Sequence, residues 1–327
     1  MEKKSLKNKP KIRIQDRTEV DRLIEEFLEY LEIEKNCSQL TIRNYCHYLE
    51  RFSYWLKVAF PKVKLCDLSL DIIKKYRVFL ARYISDQGLP LKKITQNYHL
   101  IALRSFLKFL SKQDIKSFAP EKIELPKAES RSLKFLNNEQ MDRLLAQPAI
   151  SKISGLRDKA ILELLFSTGL RVSELVKLNR DKIDFKRREF GVIGKGGRAR
   201  VVFLSEKAVK WLKRYFDARE DNFNPLFIRL LGKTDETNNG EKMRLSVRSI
   251  QRIVKKYVKK AKIPVNASVH TLRHSFATDL LSHGADLRSV QDLLGHKNIV
   301  TTQIYTHVTN AQLKQVHEKF HSGNKED

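Results

Sequence analysis

Residues 167–175 of the chain read STGLRVSEL, and this stretch ends one helix and begins another. An apolar helical pattern covers residues 156–166, and Gly169 follows it, as glycine commonly does at a helix C-terminus. Arg171 and Glu174 come next, three residues apart, and therefore share one face of the helix that restarts. The stretch predicts a largely helical domain with a charged pair directly after a sharp break.

Two β-prone runs lie further along, at residues 190–193 and 199–204, on either side of the glycine-rich segment GKGGR. Such a pair of runs with a glycine-rich connection predicts a β-hairpin, with Lys195 on its turn. The polar stretch 232–241 indicates a surface loop. A basic helix and further short helices are expected beyond that loop.

The first part of the chain predicts a separate helical bundle. Apolar residues recur every three or four positions from residue 17 to about 110, with breaks at Pro61 and at the turn signal GLP, residues 88–90. The expected fold class is mainly α: an N-terminal helical bundle, then a mixed, mostly α-helical domain with a small antiparallel β-sheet. The expected boundaries are a basic flexible arm at 1–15, the bundle at 16–115, an extended linker at 116–134 and the second domain at 135–327.

The charge balance indicates a polyanionic partner. Lysine and arginine total 64 against 38 acidic residues, a formal net charge of +26. Each phosphate that Lys or Arg neutralises releases condensed counterions, so nucleic acid is favoured. The basic residues are spread along the whole chain rather than along one amphipathic helix, which argues against a membrane surface. With no apolar leader and no apolar run long enough to span a bilayer, a cytoplasmic, nucleoid-associated protein is expected.

The three cysteines, Cys37, Cys46 and Cys66, show no C-x-x-C spacing. We therefore expect neither a disulfide framework nor a zinc site, and interpret them as reduced thiols.

Four constellations contain side chains that could carry chemistry: Arg171 with Glu174, Lys195 on the hairpin turn, His270 with Arg273 in HTLRH, and LGH at 294–296 followed by Tyr305. Each has an ordinary structural interpretation: a helix ion pair, a turn lysine, a polar helix start or a half-buried aromatic residue. Their co-occurrence is what favours a functional site.

Together these side chains fit cleavage of a phosphodiester by a tyrosine. The pentacoordinate transition state carries extra negative charge, which either metal ions or arginine forks must stabilise. Arg171 and Arg273 can supply such forks. The sequence shows no carboxylate or cysteine cluster suited to a metal, so a metal-free mechanism is expected.

The nucleophile and the leaving group each need help with a proton. A tyrosine phenol has a pKa of about 10, so a nearby arginine pair and a histidine must favour the phenolate. A lysine can protonate the leaving 5′ oxygen. A covalent phosphotyrosine conserves the energy of the broken bond, so religation needs no nucleotide cofactor, and the chain has no Walker-type loop.

The ordered set of candidate residues resembles the tyrosine recombinase (phage integrase) family, and the surrounding text is similar to the Xer-type recombinases. The resemblance covers nearly the whole chain beyond the basic arm. It rests on four stretches: STGLRVSEL at 167–175, HTLRHSFAT at 270–278, GADLRSVQDLLGH at 284–296 and TTQIYTHV at 301–308.

The resemblance implies a role for each matching residue. Tyr305 would be the nucleophile that forms a 3′-phosphotyrosyl link. The remaining implied roles are phosphate binding by Arg171 and Arg273, general-acid catalysis by Lys195, proton transfer by His270, hydrogen bonding to the phosphate by His296, and orientation of Arg171 by Glu174.

The resemblance also implies the partners. The N-terminal bundle would be a SAM-like core-DNA-binding domain, and the whole enzyme would act on double-stranded DNA at a dyad recombination site. Four protomers would form a homo- or hetero-tetramer, with a helix at about 310–321 docked on the neighbouring protomer, and a DNA translocase could act with them. Contacts to DNA are expected from Thr41, Arg43, Thr95, Arg104, Arg248 and Arg252.

The expected activity is site-specific recombination of the kind that resolves chromosome or plasmid dimers. Three alternatives stay open: an integrase of a mobile element, a type IB topoisomerase-like enzyme that relaxes DNA, and a DNA-binding protein without activity. The last is disfavoured because every reactive side chain is present. Phe203 and Asp279 stand where relatives often have Pro and His, and the 232–241 loop is longer than usual.

Overall fold

The computed structural model describes residues 18–85, 88–126, 134–194, 197 and 199–295. Contacts divide the chain into two compact units, residues 1–130 and 131–327. We refer to them as the N-terminal unit and the catalytic unit. The expected basic arm, Lys195, His296, Tyr305 and the expected last helix lie outside the described residues.

The described part of the N-terminal unit contains four α-helices: α1 (Glu19–Ile33), α2 (Gln39–Ala59), α3 (Leu70–Arg82) and α4 (Lys93–Lys112). Each begins where the sequence offers a capping residue or a change of pattern. Ser38 caps α2 by accepting a hydrogen bond from the backbone N–H of Thr41, and Ser69 caps α3 in the same way. The helices therefore start at positions that their own side chains define.

The core of the N-terminal unit is rich in aromatic side chains. Phe27 of α1, Phe52 of α2, Tyr76 of α3 and Phe106 of α4 are fully buried. Neighbouring rings meet edge to face or tilted, as Phe52 and Tyr76 do at 5.0 Å between ring centroids. Because each buried aromatic side chain contributes roughly 1.5–3 kcal/mol of hydrophobic stabilisation, these four rings are a substantial part of the core of the bundle.

Seven helices and one hairpin make up the described part of the catalytic unit. The helices are α5 (Asn138–Leu145), α6 (Ile153–Thr168), α7 (Val172–Val176), α8 (Glu206–Asp217), α9 (Val247–Lys260), α10 (Val269–Ser282) and α11 (Leu287–Leu294). Helix α6 is buried along most of its length and packs against both α8 and α10. It is the central helix on which the rest of the unit is assembled.

The hairpin consists of strands β1 (Glu189–Ile193) and β2 (Ala199–Phe203), paired antiparallel. Phe190 and Val202 face each other and point into the core, whereas Ile193 and Phe203 are exposed. The pleat therefore fixes which side chains of β2 face the interior.

The expected fold class is confirmed: the protein is mainly α, with a helical N-terminal bundle and a small antiparallel sheet in the second unit. Helix α8 was not predicted, although Ser205 caps it. The 232–241 stretch was expected to be a plain loop, but it runs into a 3-10 segment, Thr237–Met243, with Asn238 and Asn239 in left-handed conformation. Across the described ranges, we find no helix with the length and apolarity that a membrane span requires.

Candidate active site

Arg171 is positioned by a sharp break between two helices. Helix α6 ends at Gly169, which has a φ of 59°. A β-carbon at this position would approach Cδ1 of Phe276 to 2.5 Å, so both the backbone conformation and the packing require glycine. Arg171 follows as the N-cap residue of α7, and its side chain remains about a quarter exposed.

Glu174 holds Arg171 from within the protein. Its carboxylate is only 5% exposed and accepts two hydrogen bonds from Arg171: one from the backbone N–H at 2.9 Å and one from Nη1 at 2.8 Å. The glutamate thus completes the helix start and orients the guanidinium at once.

A second arginine binds the same carboxylate. Arg200 of β2 donates from Nη1 and Nη2 to the two oxygens of Glu174, at 3.1 and 2.9 Å. Burial of Glu174 acts to raise its pKa, but the hydrogen bonds from Arg200 and Arg171 outweigh burial and lower the pKa to about 2. The carboxylate therefore stays charged at every pH relevant to the protein.

Arg273 lies deeper in the same region. This residue of α10 is 5% exposed, and its Nη1 and Nη2 each donate a hydrogen bond of 2.6 Å, to the carbonyls of Gly169 and Leu294. The first carbonyl lies two residues before Arg171, and the second lies at the end of α11. Arg273 thereby joins the break after α6 to the C-terminus of α11.

His270 lies one turn before Arg273, in the first turn of α10, and is exposed. His274, one turn further on, is half-buried, and burial together with the charges of His270 and Arg273 lowers its pKa. The helix therefore presents one accessible histidine and keeps the other largely neutral. Ser268 caps the N-terminus of this helix.

The structure thus bonds Arg171 to Glu174 directly and anchors Arg273 to the carbonyl of Gly169, two residues before Arg171, with His270 on the same helix as Arg273. Lys195, His296 and Tyr305 lie outside the described residues, whereas Gly194 and Gly295, which directly precede Lys195 and His296, lie within them. Residue 195 lies between β1 and β2, and residue 296 directly follows Gly295. The two segments meet at Arg200, whose Nε donates to the carbonyl of Leu293 at 3.2 Å.

The residues expected to contact DNA lie on three helices. Thr41 and Thr95 occupy the first turns of α2 and α4, and both are half-buried. Arg43, Arg248 and Arg252 are exposed, the last two on the basic face of α9, and Arg104 is half-buried in α4. Nothing in these positions prevents contact with a phosphate backbone.

Arg200 was missed by the sequence reasoning. It is one of 64 basic residues, and 26 positions separate it from the carboxylate that it binds. A signal was present, however: an arginine in a strand whose inward-facing neighbours are apolar needs a buried anion. Within the described ranges there is no group of three or more His, Cys, Asp or Glu side chains that could hold a metal ion.

Comparisons with known proteins identify the family of the chain. The phage integrase family profile matches residues 134–312, and the profile of the phage integrase N-terminal SAM-like domain matches residues 24–114. Tyrosine recombinase XerC of Thermodesulfovibrio yellowstonii is 38% identical over 309 residues, which cover 93% of this chain and 97% of that protein. Tyrosine recombinase XerD of Staphylococcus saprophyticus is 33% identical, over 92% of this chain and 99% of that protein.

Among solved structures, the XerH site-specific recombinase bound to its palindromic difH substrate has a similar fold. Its TM-score is 0.67 at 23% identity, covering 90% of this chain and 83% of that one. The fold and the site define a class of enzyme in which a tyrosine cleaves and rejoins DNA at specific sites. The chain belongs to the phage integrase family of tyrosine recombinases.

Proposed function

We propose that this chain is an Xer-like recombinase that exchanges DNA strands at a dyad site through a covalent link at Tyr305. Arg171 and Arg273 bind the scissile phosphate, and Lys195 protonates the 5′ oxygen as it leaves. His270 and His296 assist with the proton and with the phosphate. The substrate is double-stranded DNA, and the active form is a tetramer that a DNA translocase can trigger.

The observation that carries this proposal is the network around Glu174. Arg171 is the most exposed of the three charged side chains in it, at 26% against 11% for Arg200 and 5% for Glu174. One anion between two guanidinium groups leaves a net positive charge. An arginine that meets a transferring phosphoryl group is worth roughly 10³–10⁵ in rate, so this arrangement suits the pentacoordinate transition state.

The helix ends around the network support the same chemistry. The backbone at the start of α10, where His270 lies, is an N-terminus, which favours a negative charge nearby. A phosphate at this place would meet the arginine pair and a histidine together. The tyrosine can then attack as a phenolate, because neighbouring cations lower the free energy of its charged form.

Binding to DNA is supported by charge. The net charge of +26 and the exposed basic residues of α9 favour a phosphate backbone, and the exposed face includes Arg248, Arg252, Lys255 and Lys259. Affinity should fall steeply as salt rises, since each neutralised phosphate releases counterions.

The proposal is tested with a suicide substrate. A dyad site is first selected from random duplexes by the full chain, and a nick is placed so that the cleaved strand fragment diffuses away. The wild-type chain is expected to accumulate a protein–DNA adduct, in the presence of EDTA, with the DNA attached at residue 305 through a 3′-phosphate. Peptide mass spectrometry locates the attachment.

Tyr305→Phe provides the matched control, because it removes only the nucleophilic oxygen. This variant should bind the same duplex with unchanged affinity and form no adduct. An adduct formed by Tyr305→Phe, or relaxation of plasmids that lack the site by the wild-type chain, would contradict the proposal. The second outcome would indicate a topoisomerase instead.

A further inference from the structure

A third arginine holds the reactive region together from within. Arg200 uses each of its three side-chain nitrogens: Nη1 and Nη2 bind Glu174, and Nε binds the carbonyl of Leu293. Its side chain is 11% exposed. Arg200 is bound on all three nitrogens to Glu174 and Leu293, so we look for its effect on the reaction in these two neighbours.

The first neighbour is the carboxylate of Glu174. Arg200 binds both oxygens, whereas the Arg171 side chain reaches only Oε1, through Nη1. Arg171 Nε and Nη2 donate to no other group in the described part of the chain. If Arg200 were absent, the Arg171 side chain could also bind the second oxygen of Glu174. Such a bidentate pair would direct Nη1 and Nη2 of Arg171 towards the glutamate and away from a substrate.

The charge of Glu174 acts strongly on Arg171, because Nη1 of Arg171 lies 2.8 Å from Oε1 and the glutamate side chain is only 5% exposed. Arg200 compensates the charge of Glu174 and so prevents the glutamate from cancelling the charge that Arg171 presents. This effect is electrostatic and acts only on a substrate that carries a negative charge.

The second neighbour is the C-terminus of α11. The carbonyls of Leu293 and Leu294 are among the last of that helix and have no partner within it; Arg200 binds the first and Arg273 the second. Gly295 follows with a φ of 64°, and a β-carbon there would lie 3.0 Å from Cδ of Arg200. Arg200 therefore also packs against Gly295, the residue directly after α11.

We propose that Arg200 is a positioning residue for strand cleavage: it neutralises Glu174 so that Arg171 presents its charge to the scissile phosphate. This inference rests on the proposed role of Arg171. It gives β2 a role in the reaction through Arg200. It also predicts that the loss of cleavage rate in an Arg200 variant depends on the charge of the scissile phosphate.

The test uses two suicide substrates that differ in one atom group. One has an ordinary scissile phosphate, and in the other a methyl group replaces a non-bridging oxygen, which removes the negative charge. Single-turnover adduct formation is measured for the wild type and for Arg200→Met, which keeps an unbranched apolar stem and removes the charge and the donors. On the ordinary substrate we expect a loss of roughly 10- to 100-fold, the range seen when outer partners of a reactive site are removed.

On the neutral substrate the loss should shrink to less than about 3-fold, because a charge presented by Arg171 then contributes little. Arg171→Ala should show the same asymmetry. Arg187→Met is the matched control: it removes an arginine beside the same hairpin, with a side chain 77% exposed and 4.0 Å from Glu189, and it should cleave both substrates like the wild type.

An equal loss of cleavage rate on both substrates would mean that Arg200 has only a structural role, and this result would overturn the inference. An unchanged rate on the ordinary substrate would overturn it as well. If Arg200→Met does not fold, as judged by circular dichroism, Arg200→Gln replaces it. Glutamine keeps amide donors but removes the charge, so a loss with the same asymmetry is expected, and wild-type behaviour on the ordinary phosphate contradicts the proposal. Failure of the proposed function is distinct, because the wild type would then form no adduct at Tyr305 on either substrate.

Discussion

The two units of the protein each place a partly buried arginine against a polar partner, but the partners differ in charge. In the N-terminal unit, Nη1 of Arg51 lies 3.1 Å from Nε2 of His99, while the Arg51 guanidinium stacks over the ring of Tyr83. In the catalytic unit, Arg200 meets the carboxylate of Glu174. Arginine can only donate, so His99 must accept through Nε2 and be neutral, whereas Glu174 must be ionised.

Because the partners differ in charge, we expect the two arginine contacts to respond differently to pH. Burial and the charge of Arg51 lower the pKa of His99 to about 4, within reach of mildly acidic conditions. The pKa of Glu174 is about 2, so its pair persists through the same range. The arginine–histidine contact joins α2 to α4 and responds to acid, while the arginine–carboxylate contact joins β2 to α7 and does not.

The largest effect is expected from Glu174→Ala. Removing the carboxylate leaves the buried guanidinium of Arg200 without its anion, and breaking a buried ion pair in this way costs about 3–5 kcal/mol. Urea unfolding can be followed in a Trp55→Phe background, where Trp211 reports on the catalytic unit. A loss below 1 kcal/mol would mean that the pair is not buried as described.

The next effect is the pH dependence of the N-terminal unit. His99 has a lower pKa in the folded state than the ordinary 6.5, so the unfolded state takes up its proton first as the pH falls. The contribution of neutral His99 to the free energy of unfolding is fully present above pH 6.5. It should be lost between pH 6.5 and about 4, which lowers the free energy of unfolding by roughly 1–3 kcal/mol. Trp55 fluorescence in a Trp211→Phe background measures this. His99→Phe should flatten the slope, and an unchanged slope would assign it to other groups.

A smaller effect is expected from Gly295→Ala. The left-handed backbone at this position costs roughly 1–2 kcal/mol for an L-residue, and the new methyl group meets Arg200. Gly88→Ala is the matched control, because its φ of 74° is similar and its surroundings are open. Both variants should lose stability, but only Gly295→Ala should also slow cleavage. Equal cleavage rates would show that the Arg200 contact does not affect the reaction.

The smallest effect is expected at an exposed ion pair beside the same hairpin. Arg188 lies 2.8 Å from Glu206, with the two side chains 48% and 86% exposed. Exposed pairs contribute about 0–1 kcal/mol, so Arg188→Gln should change the unfolding free energy by less than about 0.5 kcal/mol. A larger change would undermine the distinction between buried and exposed pairs on which the comparison depends.

Much of the fold could be predicted because its signals are local. The spacing of Leu23, Phe27 and Leu31 predicted α1, and the glycine-rich turn predicted the hairpin. Helix α8 was missed although Ala208, Leu212 and Tyr215 recur at helical spacing on its buried face, so the sequence contained enough information to find it.

The site was predictable only in part, for a physical reason. Arg171 and Glu174 are three residues apart, so helix geometry alone predicts their contact. The contacts of Glu174 with Arg200 and of Arg273 with Leu294 depend on tertiary packing, to which sequence spacing gives no access. In a chain with 64 basic residues, no single arginine is conspicuous.

The central claim is that two guanidinium groups and the phenol of Tyr305 meet at one phosphorus atom. The most direct measurement is the crystal structure of the wild-type chain trapped on its suicide substrate. We predict a phosphotyrosine at residue 305 whose non-bridging oxygens lie about 3 Å from nitrogens of both Arg171 and Arg273, with Arg200 still bound to Glu174. An adduct on another side chain, or either guanidinium group out of reach of the phosphate, would contradict the account.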